Sequence, residues 1–212
     1  MQRRKDMESK VMLTSIAALF LSVAGANATE YRPFVGFTMG LSDANYSEHA
    51  EDFALAGHID LPEDFFNIGL EAGVRFGEYT KIYNGGVMLN LDVTTNRNIQ
   101  DKFTDAKYGK VRASSMSATY DNYFRLSGDK KSRIDAVLGA GLGVMNYHID
   151  WKSNAVNDET VYSTILVLKA GMDFELTHNI TLSATGRMFI PTRGHYSLDA
   201  QYVFGGAVKY MF

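Results

Sequence analysis

From Tyr202 to Phe212 the chain alternates two kinds of residue. Tyr202, Phe204, Gly206, Val208, Tyr210 and Phe212 form one set, aromatic or apolar apart from one glycine. Val203, Gly205, Ala207, Lys209 and Met211 form the other, smaller on the whole and carrying the only charge. Successive side chains of a β-strand point to opposite faces, so this segment is a strand lying between an apolar and a polar medium. A helix has no use for a period of two.

The same alternation recurs seven more times, which predicts strands over Tyr31–Leu41, Phe66–Gly77, Tyr83–Thr95, Arg112–Leu126, Ile134–Ile149, Val161–Leu176 and Ile180–Ile190. In the second, Ile68, Leu70, Ala72, Val74 and Phe76 alternate with Asn67, Gly69, Glu71, Gly73 and Arg75. The stretches between the strands are alternately long and tight. Residues 42–65, 96–111, 150–160 and 191–200 are polar and extended, whereas 78–82, 127–133 and 177–179 leave room only for turns. Tight turns join antiparallel neighbours, and membrane barrels combine short periplasmic turns with longer extracellular loops.

A soluble barrel turns its apolar residues inward, and a membrane barrel turns them out to lipid. Here one face of every strand is bulky and apolar. The other holds hydroxyls, charges and the glycines at 69, 73, 86, 139, 141, 143 and 205, too hydrophilic and too small for a dry core. Facing a narrow lumen, those glycines make room for long side chains from neighbouring strands. The expected fold is all-β, an eight-stranded antiparallel up-and-down transmembrane β-barrel with short periplasmic turns and four longer extracellular loops.

On the inward face Arg32, Arg75, Arg125, Lys169, Arg187 and Lys209 oppose Glu71, Asp92, Asp121, Asp135, Asp173 and Glu175. Buried charges persist only when paired, so this balance predicts a salt-bridged lumen. Turning an Arg or Lys out to lipid would cost about 2–4 kcal/mol at the bilayer midplane. Across the hairpin of the fourth and fifth strands, Arg125 and Asp135 are expected to meet. Most of these charges lie toward the tight-turn end, which favours a plug over an open pore or solute gate. Aromatics gather at strand ends, with Phe76, Tyr79, Tyr83, Phe124, Tyr210 and Phe212 at one and Trp151, Tyr162 and Tyr202 at the other. Amphipathic rings of this kind sit well at headgroup level.

Residues 1–28 read as a signal peptide: Arg3, Arg4, Lys5 and Lys10 precede an apolar run, and Ala26-Asn27-Ala28 supplies the cleavage site. Residues 29–212 are then the barrel domain. A net charge of −3, more acidic without that leader, argues against nucleic acid. The absence of cysteine removes disulfides, thiol nucleophiles and cysteine metal sites. No cofactor or metal is expected. Asp43, Glu48, Glu51, Asp52, Asp60, Glu63 and Asp64 crowd the first long loop without the spacing of a cation-binding motif.

His195 and Ser197 share one side of an extended chain, as a nucleophile and its base would. The tripeptide resembles the His-x-Ser of lipid A 3-O-deacylases, but Leu198 and Asp199 follow it and no Glu occurs after Glu175. An ordinary loop histidine is the better reading. The alternatives to a non-enzymatic barrel are a deacylase-like enzyme and a narrow channel.

With the pieces Phe34-Val-Gly-Phe-Thr-Met-Gly-Leu41 and the aromatic ending at Tyr210 and Phe212, the chain resembles the OmpA/OmpX-like family of small outer-membrane β-barrels. The resemblance implies a monomer exported to the cell outer membrane, with Tyr210 and Phe212 as the insertion signal read by the barrel-assembly machinery. It implies contact with outer-membrane lipid and lipopolysaccharide, and loops serving envelope integrity, adhesion or host contact.

Overall fold

Alternating β-branched, aromatic and glycine residues, with three prolines in the whole chain, allow long uninterrupted backbone ladders. The computed structural model describes residues 30–46, 59–60, 62–78, 81–95, 97–101, 103–104, 106–128, 133–152, 159–192 and 198–212. These form β1 (Tyr31–Tyr46), β2 (Ile59–Asp60), β3 (Asp64–Phe76), β4 (Tyr83–Thr94), β5 (Arg97–Asp101), β6 (Lys107–Gly128), β7 (Arg133–Trp151), β8 (Glu159–Glu175), β9 (Ile180–Pro191) and β10 (Leu198–Met211). The predicted leader 1–28, together with His195 and Ser197, lies outside the described residues.

All pairings are antiparallel. The order runs β6-β4-β3-β1-β10-β9-β8-β7, and β7 returns to β6 to close a ring. Outside the ring, β5 pairs with the loop end of β6 and β2 pairs with β5. The path is an up-and-down meander, and closure removes the unpaired edges that an open sheet would present.

The elements reach further into the polar stretches than the pattern suggested. β1 runs to Tyr46, β6 begins at Lys107, β10 begins at Leu198, and β5 occupies part of 96–111. Cross-strand hydrogen bonds extend a strand wherever a neighbour is in register, whatever the polarity of the side chains. Arg133, placed by the pattern in a tight turn, opens β7.

Two faces follow from the period of two. Val35, Phe37, Met39 and Leu41 on β1, Leu89 and Leu91 on β4, and Phe204, Val208 and Tyr210 on β10 are all exposed outward. The inner face is buried, and glycines seat its larger groups. A Cβ at Gly36 would lie 2.9 Å from Cγ of Glu71, one at Gly69 2.5 Å from an Asp92 carboxylate oxygen, and one at Gly86 2.8 Å from the Tyr123 ring. Gly77, at φ 135°, opens the β3–β4 turn in a conformation that side chains rarely adopt.

The inner face is less hydrophilic than its composition suggested. At the loop end Met145, Ile165, Val167, Phe189 and Val203 pack into one apolar cluster, and Ala44, Phe65, Ile99 and Val111 into another. Tyr147 packs against both. Strand prolongation brings about the second cluster, because Ala44, Ile99 and Val111 belong to segments read as loop from the sequence alone.

Gly73 tests the glycine seats, since a Cβ there would press on the Val87 carbonyl and lie 2.8 Å from the Phe34 ring. Gly73→Val is expected to lower stability by about 1–3 kcal/mol through overpacking. Gly206→Ala, whose Cβ would have its nearest neighbour at 3.3 Å, should cost less. Urea unfolding in detergent micelles compares the two midpoints.

Candidate functional site: the charged interior

Below the apolar clusters the inner face is ionic. At the turn end Arg32 Nη1 donates to Glu175 Oε1 at 3.0 Å, and Arg32 Nη2 donates to the His178 carbonyl. Above it, Asp135 holds two guanidinium groups. Arg75 pairs with Asp135 through Nη2, while Arg133 Nε donates to both carboxylate oxygens at 2.6 and 2.8 Å. With its amide oxygen turned to Arg133, Asn84 accepts from Nη1 and Nη2 at 3.2 and 2.6 Å. The Tyr123 ring lies 4.1 Å from the Arg75 guanidinium, a cation–π contact made stronger by burial.

In the middle layer Lys209 Nζ donates to both oxygens of Asp173 at 3.1 Å and lies 3.7 Å from Glu71 Oε1. Ser183 Oγ donates to the same Asp173 at 2.6 Å, and Lys169 Nζ reaches Asp121 Oδ2 at 2.8 Å. Nearer the loop end Arg187 grips Asp92 with two parallel bonds of 2.7 and 2.9 Å. That fork matches guanidinium to carboxylate geometry and is among the strongest pairings available to side chains. Beside it a cavity of about 10 Å³ is lined by Asn67, Asp92, Thr94, Ser115 and Gln201. Among the described residues no group of three or more His, Asp or Glu is arranged to hold a metal ion.

These pairs share a topological property. Arg75–Asp135 joins β3 to β7, Arg187–Asp92 joins β9 to β4, Lys169–Asp121 joins β8 to β6, and Arg32–Glu175 joins β1 to β8. None of these strands are neighbours in the sheet. The pairs therefore bridge the lumen and act as ties beyond the backbone ladder.

Two details depart from the sequence expectation. Arg133 is fully buried and belongs to the network; the signal was present, because it lies two residues before Asp135 and shares its face. Arg125 does stand opposite Asp135 in the register, half-buried beside a bulge. The ion pairs recorded for that carboxylate run to Arg75 and Arg133. Arg125 lies on the same inner face, with its Nε buried. On the opposite face Tyr210 and Phe212 are exposed, their rings 5.2 Å apart and nearly perpendicular.

Outside the ring, the β5–β6 hairpin turns on Asp101. Its carboxylate accepts from the Phe103 and Thr104 N–H groups at 2.8 Å each and from the Tyr108 hydroxyl at 3.0 Å. These donors stabilise the ionised form and lower its pKa to about 2, while the same contact raises that of Tyr108.

The architecture has counterparts among solved structures. Neisserial surface protein A is 12% identical over 88% of this chain and 99% of its own, with a TM-score of 0.51. The N-terminal β-barrel domain of Pseudomonas aeruginosa OprF is 13% identical over 88% and 100%, with a TM-score of 0.53. Outer membrane protein OprG of Pseudomonas aeruginosa is 13% identical over 84% and 95%, with a TM-score of 0.55. The fold is that of small outer-membrane β-barrels of the OmpA/OmpX type. No family model matches the chain, and no curated protein matches it in sequence. At such identities the likeness concerns the barrel alone, and the side chains filling it are this chain's own.

Asp135→Ala leaves Arg75 and Arg133 buried without their counter-charge and is expected to destabilise the barrel by about 3–5 kcal/mol. Urea unfolding measures it, with Glu78→Ala, whose ion pair to Lys81 is exposed, as the near-neutral control. For Asp101 the sign follows from its depressed pKa. The hairpin contribution is complete above the unfolded value near 3.8 and disappears as pH falls through about 2. An NMR titration of the Asp101 carboxyl carbon should show that midpoint, with Phe103 and Thr104 amide protection lost in the same window.

Proposed function

We propose that this chain is a non-enzymatic outer-membrane barrel of eight transmembrane strands. Its lumen is closed by paired charges and an apolar plug, and its loop end serves envelope integrity or surface contact. One observation carries the reading: large apolar residues lie exposed on the outside while lysines, arginines and carboxylates are buried inside. Water would reject that distribution and a bilayer requires it. The tight connections then lie on the periplasmic side and the longer loops outside the cell. β6, with 22 residues, rises about 3.3 Å per residue and so extends well past an apolar band of about 25 Å. Tyr210 and Phe212, with Tyr83 and Phe124 in ring contact at 5.5 Å, form the periplasmic aromatic girdle. Tyr210 and Phe212 are the element assigned to the barrel-assembly machinery. The partners are outer-membrane lipid and lipopolysaccharide around a single copy, with a surface ligand at the loops. One structural neighbour is named a surface protein, which agrees with that role.

Planar-bilayer recording tests the closed lumen. The purified full chain, shown to be inserted by its heat-dependent gel mobility, is expected to give no steady conductance. Discrete channel steps that survive dilution would overturn the plug and favour a solute path.

A further inference from the structure

Inside the ring the lysines and arginines cluster with carboxylates. On the outer face of the loop end the opposite holds. Lys110, Arg112 and Lys152 are exposed there, and none has an ion pair within the described residues. Lys110 does stand opposite Asp150 in the β6–β7 register. That carboxylate is taken by His148, whose Nε2 lies 2.6 Å from Asp150 Oδ1. The other imidazole nitrogen, Nδ1, lies 2.8 Å from Thr160 Oγ1. His148 also stands opposite Arg112 on one side and Thr160 on the other. The imidazole is thus clamped at both nitrogens, and the clamp keeps the nearest acid away from the two cations on β6.

The position of this patch matters as much as its charge. Below Arg112 and His148 on the outer face comes a row of Ser114, Asn146 and Tyr162, and below that Met116, Val144 and Thr164. Tyr162 is 72% exposed and Val144 42%. An amphipathic ring over an apolar belt marks the boundary between acyl chains and headgroups. The cations therefore stand at the height of the headgroups. Arg and Lys at that height seek phosphate oxygens, Arg by a planar fork and Lys as a point charge.

The other side of the ring is different. Asp43 and Asp64 face one another across β1 and β3, and Glu63 and Asp199 are exposed nearby. Anionic headgroups are repelled there.

We infer that Lys110, Arg112 and Lys152, with His148 clamped between Asp150 and Thr160, form a one-sided binding site on the outer face of β6 and β7 for the phosphate groups of a phosphorylated lipid in the surrounding leaflet. The inference rests on the membrane reading given above and deepens it by assigning the residues and the headgroup chemistry. Its consequence is an asymmetric annulus, with phosphorylated lipid held against β6–β7 and not against β1–β3.

Trp151, the single tryptophan, is replaced by Phe and Tyr162, exposed on the outer face in the row below Arg112 and His148, by Trp, so that the one reporter faces the surrounding lipid. The purified full chain is inserted into phosphatidylcholine vesicles containing either brominated phosphatidic acid or brominated phosphatidylcholine at equal mole fraction. Bromine quenches tryptophan only at close range, so the ratio of the two quenching curves reads local enrichment. Surface cations of this number are expected to give about a tenfold preference for the phosphatidic acid. Lys110→Gln with Arg112→Gln should reduce the preference to near unity, while Lys81→Gln at the turn end leaves it unchanged. Trp151→Phe combined with Phe66→Trp moves the reporter beside Asp64 and should show no preference.

Equal quenching by both lipids with the reporter at position 162 and the cations intact overturns the site and leaves the barrel reading standing. A preference as large at position 66 overturns the one-sided assignment. Abolition by excess inorganic phosphate at constant ionic strength overturns the lipid as the ligand. Tryptophan unquenched in either vesicle means that the chain has not inserted, and both readings fall.

Discussion

The structure depends on a single electrostatic requirement: a charge taken out of water must meet its opposite. A closed ring of strands has a narrow interior, and here that interior holds arginines, lysines and carboxylates. Moving such a group into low dielectric unpaired costs several kcal/mol, so the interior exists only because the pairs form. Arg75 and Arg133 share Asp135, Arg187 forks onto Asp92, and Lys209 sits against Asp173. Each of these ties, apart from Arg133 within its own strand, crosses between strands that do not touch in the sheet. Ladder hydrogen bonds hold neighbours together, and the ion pairs hold opposite walls together.

The other features follow from fitting these groups into limited space. Glycines at 36, 69 and 139 receive the carboxylates of Glu71, Asp92 and Asp121 from adjoining strands. Aromatic rings lie against three of the cations, Tyr123 at Arg75, Phe34 at Lys209 and Phe189 at Arg187. Toward the loop end the ionic layers stop and Met145, Ile165, Val167, Phe189 and Val203 take over. The interior is thus ionic toward the turn end and more apolar toward the loop end. Ordering by charge then resumes on the outside, where Lys110 and Arg112 of β6 and Lys152 just beyond β7 stand on one side and Asp43 of β1 and Asp64 of β3 on another.

Much of this was legible along the chain. In the strand from Phe66 onward, Ile68, Leu70 and Ala72 are exposed and Asn67, Glu71 and Arg75 are buried, as the alternation predicts. Periodicity works here because each strand separates two media, so no tertiary contact reverses the local preference. Strand ends were less legible. Ala44, Ile99 and Val111 lie in polar surroundings in sequence, and only pairing with a neighbour draws them into β-structure and into the interior. Arg133 was hidden for the same reason: a residue beside a tight connection reads as turn until its partner strand fixes where the ladder begins.

The sequence by itself determined the period of two, the segments that become strands, and which face of each is apolar. Those properties are local, because they depend only on what lies two residues away. Tertiary structure alone decided which charge meets which. Arg125 stands opposite Asp135 in the hairpin, yet Asp135 takes Arg75 from across the lumen. Such choices depend on ring closure and on the stagger between strands, which bring together residues as far apart as Arg32 and Glu175, 143 positions distant in sequence. No local spacing encodes that distance; the geometry of the closed barrel does.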